Sequence, residues 1–396
     1  MVLDTLKKIE EAIQERPKEL EEAKKRGEKV VGWLGYNIPE EIIHALGLIP
    51  VRLGTGGDDR LVEVGARYIS TKNCVFTRET VGLFAENKDP YIQKSDLVAV
   101  DTTCIQMYIA VEVIKYYFKI NPLVLGVPRN FYLPDGQEYF NKELEFFTHK
   151  LEDFSGNKLD TNRLAGSIKL YNGIRKAIKE LYKYQAADKS PIKWREVFDV
   201  VHSGFYLDRE KYLSLLKELL KELKEKHGLP VIGSLNGDAR IFLSGSIIPP
   251  KDTKLINIIE EVGGRIVGDD LWSGLTPSLN VNIKDPSIKG IADAYVNRIP
   301  HASQPYILNV NTDRRLNNLK QLVHESKGQG VIYHTLRFCD PYTFNANETG
   351  AVLKKDSIPL LEIHTEYSGS DFEAIRTRVG AFVELIKNKN ILEVET

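Results

Sequence analysis

Cysteine is scarce in this chain: three in 396 residues, Cys74, Cys104 and Cys339, with no CxxC pair among them. An odd, widely spaced set argues against a disulfide framework and for a reducing, cytoplasmic setting, where thiols serve metals, catalysis or packing. An excess of one charge is missing too. The 54 Lys plus Arg against 55 Asp plus Glu leave a formal charge of −1, so there is no electrostatic footprint for nucleic acid or an anionic membrane. No apolar run reaches membrane-spanning length. The opening residues lack a long apolar core behind basic residues, so no signal peptide is expected. No histidine cluster has zinc spacing, no lysine completes a P-loop, and there is neither a short tandem repeat nor a low-complexity segment. Methionine is nearly absent, with two residues, beside abundant Lys, Glu and Ile, a composition like that of heat-adapted proteins. What remains is globular: 42% hydrophobic and 28% charged, long enough for two or three domains. The expected partners are small molecules or proteins.

Residues 1–28 read as an amphipathic helical segment, with Leu6, Ile9, Ile13 and Leu20 at helical spacing and an interruption near Pro17. Residues 29–140 alternate strand and helix. The strand from Val30 is followed by a helix after Pro39, then by strands at 96–103 and 122–127 around a helix at 106–118. Such spacing implies parallel pairing. Residues 141–235 are mostly helical. From 236 to 396 the alternation returns, with strands expected at 239–244, 264–268, 331–338 and 358–365, and helices at 254–262 and 371–387. The reading is an α/β chain of two Rossmann-like, flavodoxin-like parallel-sheet lobes with a helical layer.

Cys104 and Cys339 each follow an expected strand at its carboxyl end, where open α/β sheets hold ligands. Three thiolates from distant loops can hold an iron–sulfur cluster by three corners; three buried structural cysteines are the plainer alternative. Cys74 and Cys104 lie in one half and Cys339 in the other, so a shared cluster requires the lobes to converge on a cleft. In the loop after the first strand, Tyr36 and Asn37 offer backbone N–H groups to an anion, or merely cap a turn. Glu40 and Glu41 read as a first-turn dipole pair. Ser244, Gly245 and Ser246 form a loop able to cradle a phosphate or a thioester chain. Asp269 and Asp270 can bind a cation, cap, or face solvent. His334, Arg337 and Cys339 share one strand and its exit, with Arg337 and Cys339 on one face and His334 on the other. A Cys–His hydrolase is conceivable there, yet no recognised nucleophile motif surrounds the thiol.

The run from Gly35 to Leu53 (GYNIPEEIIHALGLIPVRL), Asp101-Thr102-Thr103-Cys104, Leu243 to Ser246 (LSGS), Asp269 to Gly274 (DDLWSG), His334 to Tyr342 (HTLRFCDPY) and Arg376 to Phe382 (RTRVGAF) follow one another through nearly the whole chain. In this order they resemble the D-component subunits of 2-hydroxyacyl-CoA dehydratases and the related benzoyl-CoA reductases. The resemblance implies two Rossmann-like lobes and one 4Fe–4S cluster in the interlobe cleft, held by Cys74, Cys104 and Cys339. It also implies a second D-component subunit, an ATP-dependent activator that injects a low-potential electron, and an acyl-CoA substrate reduced to a ketyl-type radical anion. Tyr36, Asn37 and His334 are then the candidate catalytic or positioning residues, and Ser244, Gly245 and Ser246 the candidate cofactor-binding loop. The sequence departs from the family pattern at Ile105, where Asp is common, which leaves the substrate subgroup open. An electron-relay subunit without its own substrate site stays open as well, as does a metal-free α/β binding protein with buried structural thiols.

Overall fold

A computed structural model describes residues 3–131, 133–233, 239–303 and 310–394. Its strands are short and apolar, and those at the sheet centres are buried on both faces, as parallel strands covered by helices must be. The first sheet contains β1 (Val30–Leu34), β2 (Ile49–Arg52), β3 (Leu97–Asp101) and β4 (Leu123–Leu125), in the order β2-β1-β3-β4. The second contains β5 (Ala239–Gly245), β6 (Gly264–Asp269), β7 (Gly330–Leu336) and β8 (Leu360–Thr365), in the order β6-β5-β7-β8. Every pairing is parallel. The two lobes therefore repeat one topology, and the expected α/β architecture of two parallel-sheet lobes with a helical layer is what the chain adopts. In each sheet the connection reverses direction between the first and third strands of its lobe, the switch point where such folds leave a crevice.

Several elements depart from the sequence reading. The first helix runs unbroken from Asp4 to Lys25 through Pro17. Proline removes one intrahelical hydrogen bond, but Ile9, Ala12, Arg16, Leu20 and Ala23 form a buried stripe along this helix that holds it against the rest of the chain. The strand β2 was not expected, because Ile49-Pro50-Val51-Arg52 is four residues long and carries a proline. A single helix, Pro134–Ser155, spans the expected boundary at 140/141, and the expected boundary at 235/236 lies outside the described residues. β7 ends at Leu336, so Arg337 and Cys339 do not share a strand face; Phe338 between them has φ 63°.

Packing joins the parts. Side chains of the first helix (Ile9, Ala12) and of the helical layer (Leu181, Val197, Leu216) share one core with Ile332 and Ile363 of the second sheet. Another core runs across the lobes, placing Val100 and Cys74 with Ile247, Trp272 and Tyr342. It is this core that surrounds the cysteines.

Candidate metal centre between the lobes

All three cysteines sit at helix N-caps. Cys74 precedes the helix Val75–Glu86, Cys104 the helix Ile105–Phe118 and Cys339 the helix Asp340–Lys355, and none makes a side-chain capping bond. Cys104 comes three positions after the last residue of β3 and Cys339 three after the last residue of β7, so the two lobes contribute equivalent positions. Cys74 has no sheet strand before it and arrives instead from the connection between β2 and β3. Three helix N-termini thus converge, and the partial positive charge at each favours a thiolate.

The thiols line one cavity of about 60 Å³, bounded by Tyr36 after β1, Thr103 after β3, Ser246 after β5 and Leu336 at the end of β7. These are the two switch points, face to face. The Cys339 thiol donates to Cys74, which holds Cys74 below its ordinary value and, with burial, pushes Cys339 up. Burial also raises Cys104, and the charges of Cys74 and Cys104 both bear on Cys339. The three thiols therefore act on one another electrostatically. Among the described residues, no three His, Cys, Asp or Glu side chains are gathered to hold one metal ion. A cluster makes a different demand, since each thiolate meets its own iron. Three soft donors at three positive helix ends, in a cavity walled by Phe76, Met107, Trp272 and Tyr342, fit that demand.

His301, absent from the sequence reading, stands in the wall between Tyr36, Trp272 and Tyr342, at ring separations of 5.6, 5.9 and 5.5 Å. Burial depresses its pKa to about 3, so the ring is neutral, and Nδ1 accepts from the Ser303 N–H at 3.1 Å, leaving the proton on Nε2. Trp272 and Tyr342 fall within the motifs at 269–274 and 334–342 and were legible as part of a pattern. Nothing local marks His301.

The other candidate residues are placed as follows. Tyr36 lines the cavity; its hydroxyl donates to the Ile299 carbonyl at 3.0 Å, and burial pushes its pKa up to about 12. The N–H groups of Tyr36 and Asn37 do meet an anion, but it is the chain's own Asp101, whose Oδ2 accepts both at 2.5 Å. Gly35 is required beside it, because a Cβ there would lie 2.3 Å from Asp101 Oδ2. Asn37 is buried, donating to Thr103 Oγ1 at 2.9 Å, and is not in the cavity wall. His334 is likewise outside it, within β7, with Nε2 2.7 Å from Thr365 Oγ1 and its pKa lowered to about 3 by burial. Of the Ser-Gly-Ser loop only Ser246 reaches the cavity. Its Oγ accepts from the Leu336 N–H at 2.9 Å, tying the end of β5 to the end of β7, while Ser244 bonds to Asp270.

Residues 35–386 match the family described as 2-hydroxyglutaryl-CoA dehydratase, D-component. The chain belongs to this family. It is similar to a subunit of the benzoyl-CoA reductase of Thauera aromatica, 22% identical over 91% of each chain. It is also similar to the (R)-phenyllactyl-CoA dehydratase beta subunit of Clostridium sporogenes, 24% identical over 94% of this chain and 96% of the relative. The beta subunit of (R)-2-hydroxyglutaryl-CoA dehydratase from Acidaminococcus fermentans is 22% identical over 91% and 93%. As a D-component the chain is an enzyme subunit of dehydratase or reductase type. Among the described residues no helix is long and apolar enough to cross a membrane.

Proposed function

We propose that this D-component holds one 4Fe–4S cluster on Cys74, Cys104 and Cys339 and acts on a CoA thioester, dehydrating a 2-hydroxyacyl-CoA or reducing an aromatic acyl-CoA. It does so with a second D-component subunit and an ATP-dependent activator. The observation that carries the reading is the meeting of three helix-capping cysteines in one cavity where both sheets present their switch points. A bound cluster would supply a low-potential electron and, at its remaining iron, a Lewis-acidic position for the thioester oxygen.

Helix N-termini lower the cost of gathering negative sulfur in a buried space. Phe76, Trp272 and Tyr342 keep water out. Tyr36, with its pKa near 12, and neutral His301 both keep their protons, which makes them hydrogen-bond donors rather than bases. The electron-relay reading is favoured by the size of the cavity, about 60 Å³, below the roughly 300–1,000 Å³ of ordinary ligand pockets.

Anaerobic purification with iron and sulfide analysis tests the ligand set. The wild type is expected to be coloured, with about four irons per chain, and Cys339→Ala to lose most of them. Equal iron in both would overturn the assignment. An acyl-CoA that alters the electron-spin resonance of the reduced cluster would support a substrate site in this subunit, and no alteration would support relay.

A further inference from the structure

A second cavity, of about 110 Å³, lies where the first lobe, the helical layer and the second lobe meet, and it shares Tyr36 and Trp272 with the cysteine cavity. Four arginines and two glutamates line it. Both glutamates are taken: Glu40 receives Arg209 at 2.8 and 3.0 Å, and Glu41 receives Arg175 and, at 2.9 Å, the Tyr295 hydroxyl. Among the described residues Arg52 and Arg298 have no such partner, so the lining carries two more positive than negative side chains.

Arg52, the last residue of β2, is 3% exposed. Its guanidinium lies 4.7 Å from the Trp33 ring and 4.8 Å from those of Phe205 and Trp272, and makes no hydrogen bond or ion pair among the described residues. Arg298 lies over Tyr36 and Tyr295; it donates one bond, to the Tyr36 carbonyl at 2.5 Å, and its Nε has no acceptor. The indole N–H of Trp33 also has none. Among the described residues three buried N–H donors around one cavity thus lack acceptors, where buried donors are as a rule satisfied. Aromatic faces relieve part of the charge, but they supply no hydrogen-bond acceptor in the plane of a guanidinium.

We propose that this cavity binds a small carboxylate, held between Arg52 and Arg298. A carboxylate is planar, carries two acceptor oxygens and matches the guanidinium fork. The volume suits a short carboxylate, since one water needs about 10–15 Å³ on this measure. The group can come from a free small acid or from the far end of an acyl-CoA, the second source resting on the thioester function proposed above.

The test uses the full chain without turnover, so it does not depend on the cluster. Succinate and acetate, with chloride as control, are titrated while tryptophan fluorescence and heat are recorded; two of the three tryptophans flank Arg52. Succinyl-CoA against butyryl-CoA forms the second arm. Saturable binding of succinate or acetate, weakened by ~10-fold or more in Arg52→Met, is expected if the source is free. Binding of succinyl-CoA but of neither free acid nor butyryl-CoA identifies the acyl tail. In carboxylate-free buffer Arg52→Met is expected to melt at a higher temperature than the wild type, because it removes an unpaired buried charge. If Arg52→Met fails to fold, Arg298→Met and the fork-breaking Arg52→Lys carry the same expectation of weakened binding. Absence of binding in both arms, or equal affinity in the folded variants, overturns the proposal.

Discussion

Asp269 shows how the chain spends its buried carboxylates. Fully enclosed at the end of β6, it accepts from the Tyr182 hydroxyl at 2.6 Å, the Trp194 indole at 2.8 Å, and the N–H groups of Leu271 and Leu275, both at 3.1 Å. The sequence showed two acids at a loop mouth and left a cation, a cap or solvent open. The donors come from as far as Tyr182, 87 positions away, and such distances are invisible to local pattern. The same holds for Asp101, whose anion role was legible in Tyr36 and Asn37 without its identity, and for the first-turn pair Glu40 and Glu41, whose ion pairs with Arg209 and Arg175 reach residues far along the chain. Asp269→Ala leaves four donors stranded and is expected to cost about 3–5 kcal/mol, read as a lower urea midpoint. Glu79 behaves in the opposite sense. Among the described residues only Oε1 has a partner, the Asp58 N–H at 3.1 Å, and burial raises its pKa from 4.5 to about 8. Between those values the unfolded chain has released a proton that the folded chain keeps, so this group's contribution to stability falls as pH rises. Glu79→Gln is therefore expected to raise the melting temperature more at pH 8 than at pH 5; an equal or reversed gain would show that burial does not govern this group.

Elements with strong flanking signals were legible: the helix after Pro39, the helices of the 141–228 region, and the alternation around β3 and around β5 to β8. What the pattern did not show was the pair of helices Asp59–Gly65 and Val75–Glu86, which carry Cys74 to the cavity. They cross at glycine. A Cβ on Gly65 would lie 1.8 Å from the Arg78 carbonyl oxygen, and one on Gly82 would lie 2.0 Å from that of Leu61. Backbone meets backbone, so neither side can yield by turning a side chain. The crossing sets the position of the second helix, and with it the cap position of Cys74. Gly82→Ala is expected to displace that helix and to reduce iron retention after anaerobic purification, although the residue touches neither cysteine nor cavity. A control at Gly166, where a Cβ meets nothing within 4 Å, should retain iron fully. Equal iron in both variants would show that Cys74 is positioned from elsewhere.

At the scale of the whole molecule, the duplication of topology explains how three cysteines from distant parts of the chain come to line one cavity. Two equivalent strand ends supply Cys104 and Cys339, and one inserted helix supplies the third. The convergence could be required from the sequence but not located, because it depends on how two sheets face each other. The same geometry has an outward consequence. The helix Ile105–Phe118 starts at Cys104 and leaves Ile105, Tyr108 and Tyr116 exposed along one face, with Tyr117 exposed beside them. Exposed large side chains grouped in this way, with Glu112 among them, suit an interaction surface, and the relatives are named as subunits of dehydratases and a reductase. The expected occupant of this face is a partner subunit of the enzyme. Tyr108→Lys with Tyr116→Lys places two charges on a solvent-facing surface and spares the cysteines. The double variant is expected to fold and to keep its iron, yet to elute alone when co-expressed with its partner, while the wild type elutes as a complex. Co-elution of the variant at wild-type stoichiometry would move the interface to another face.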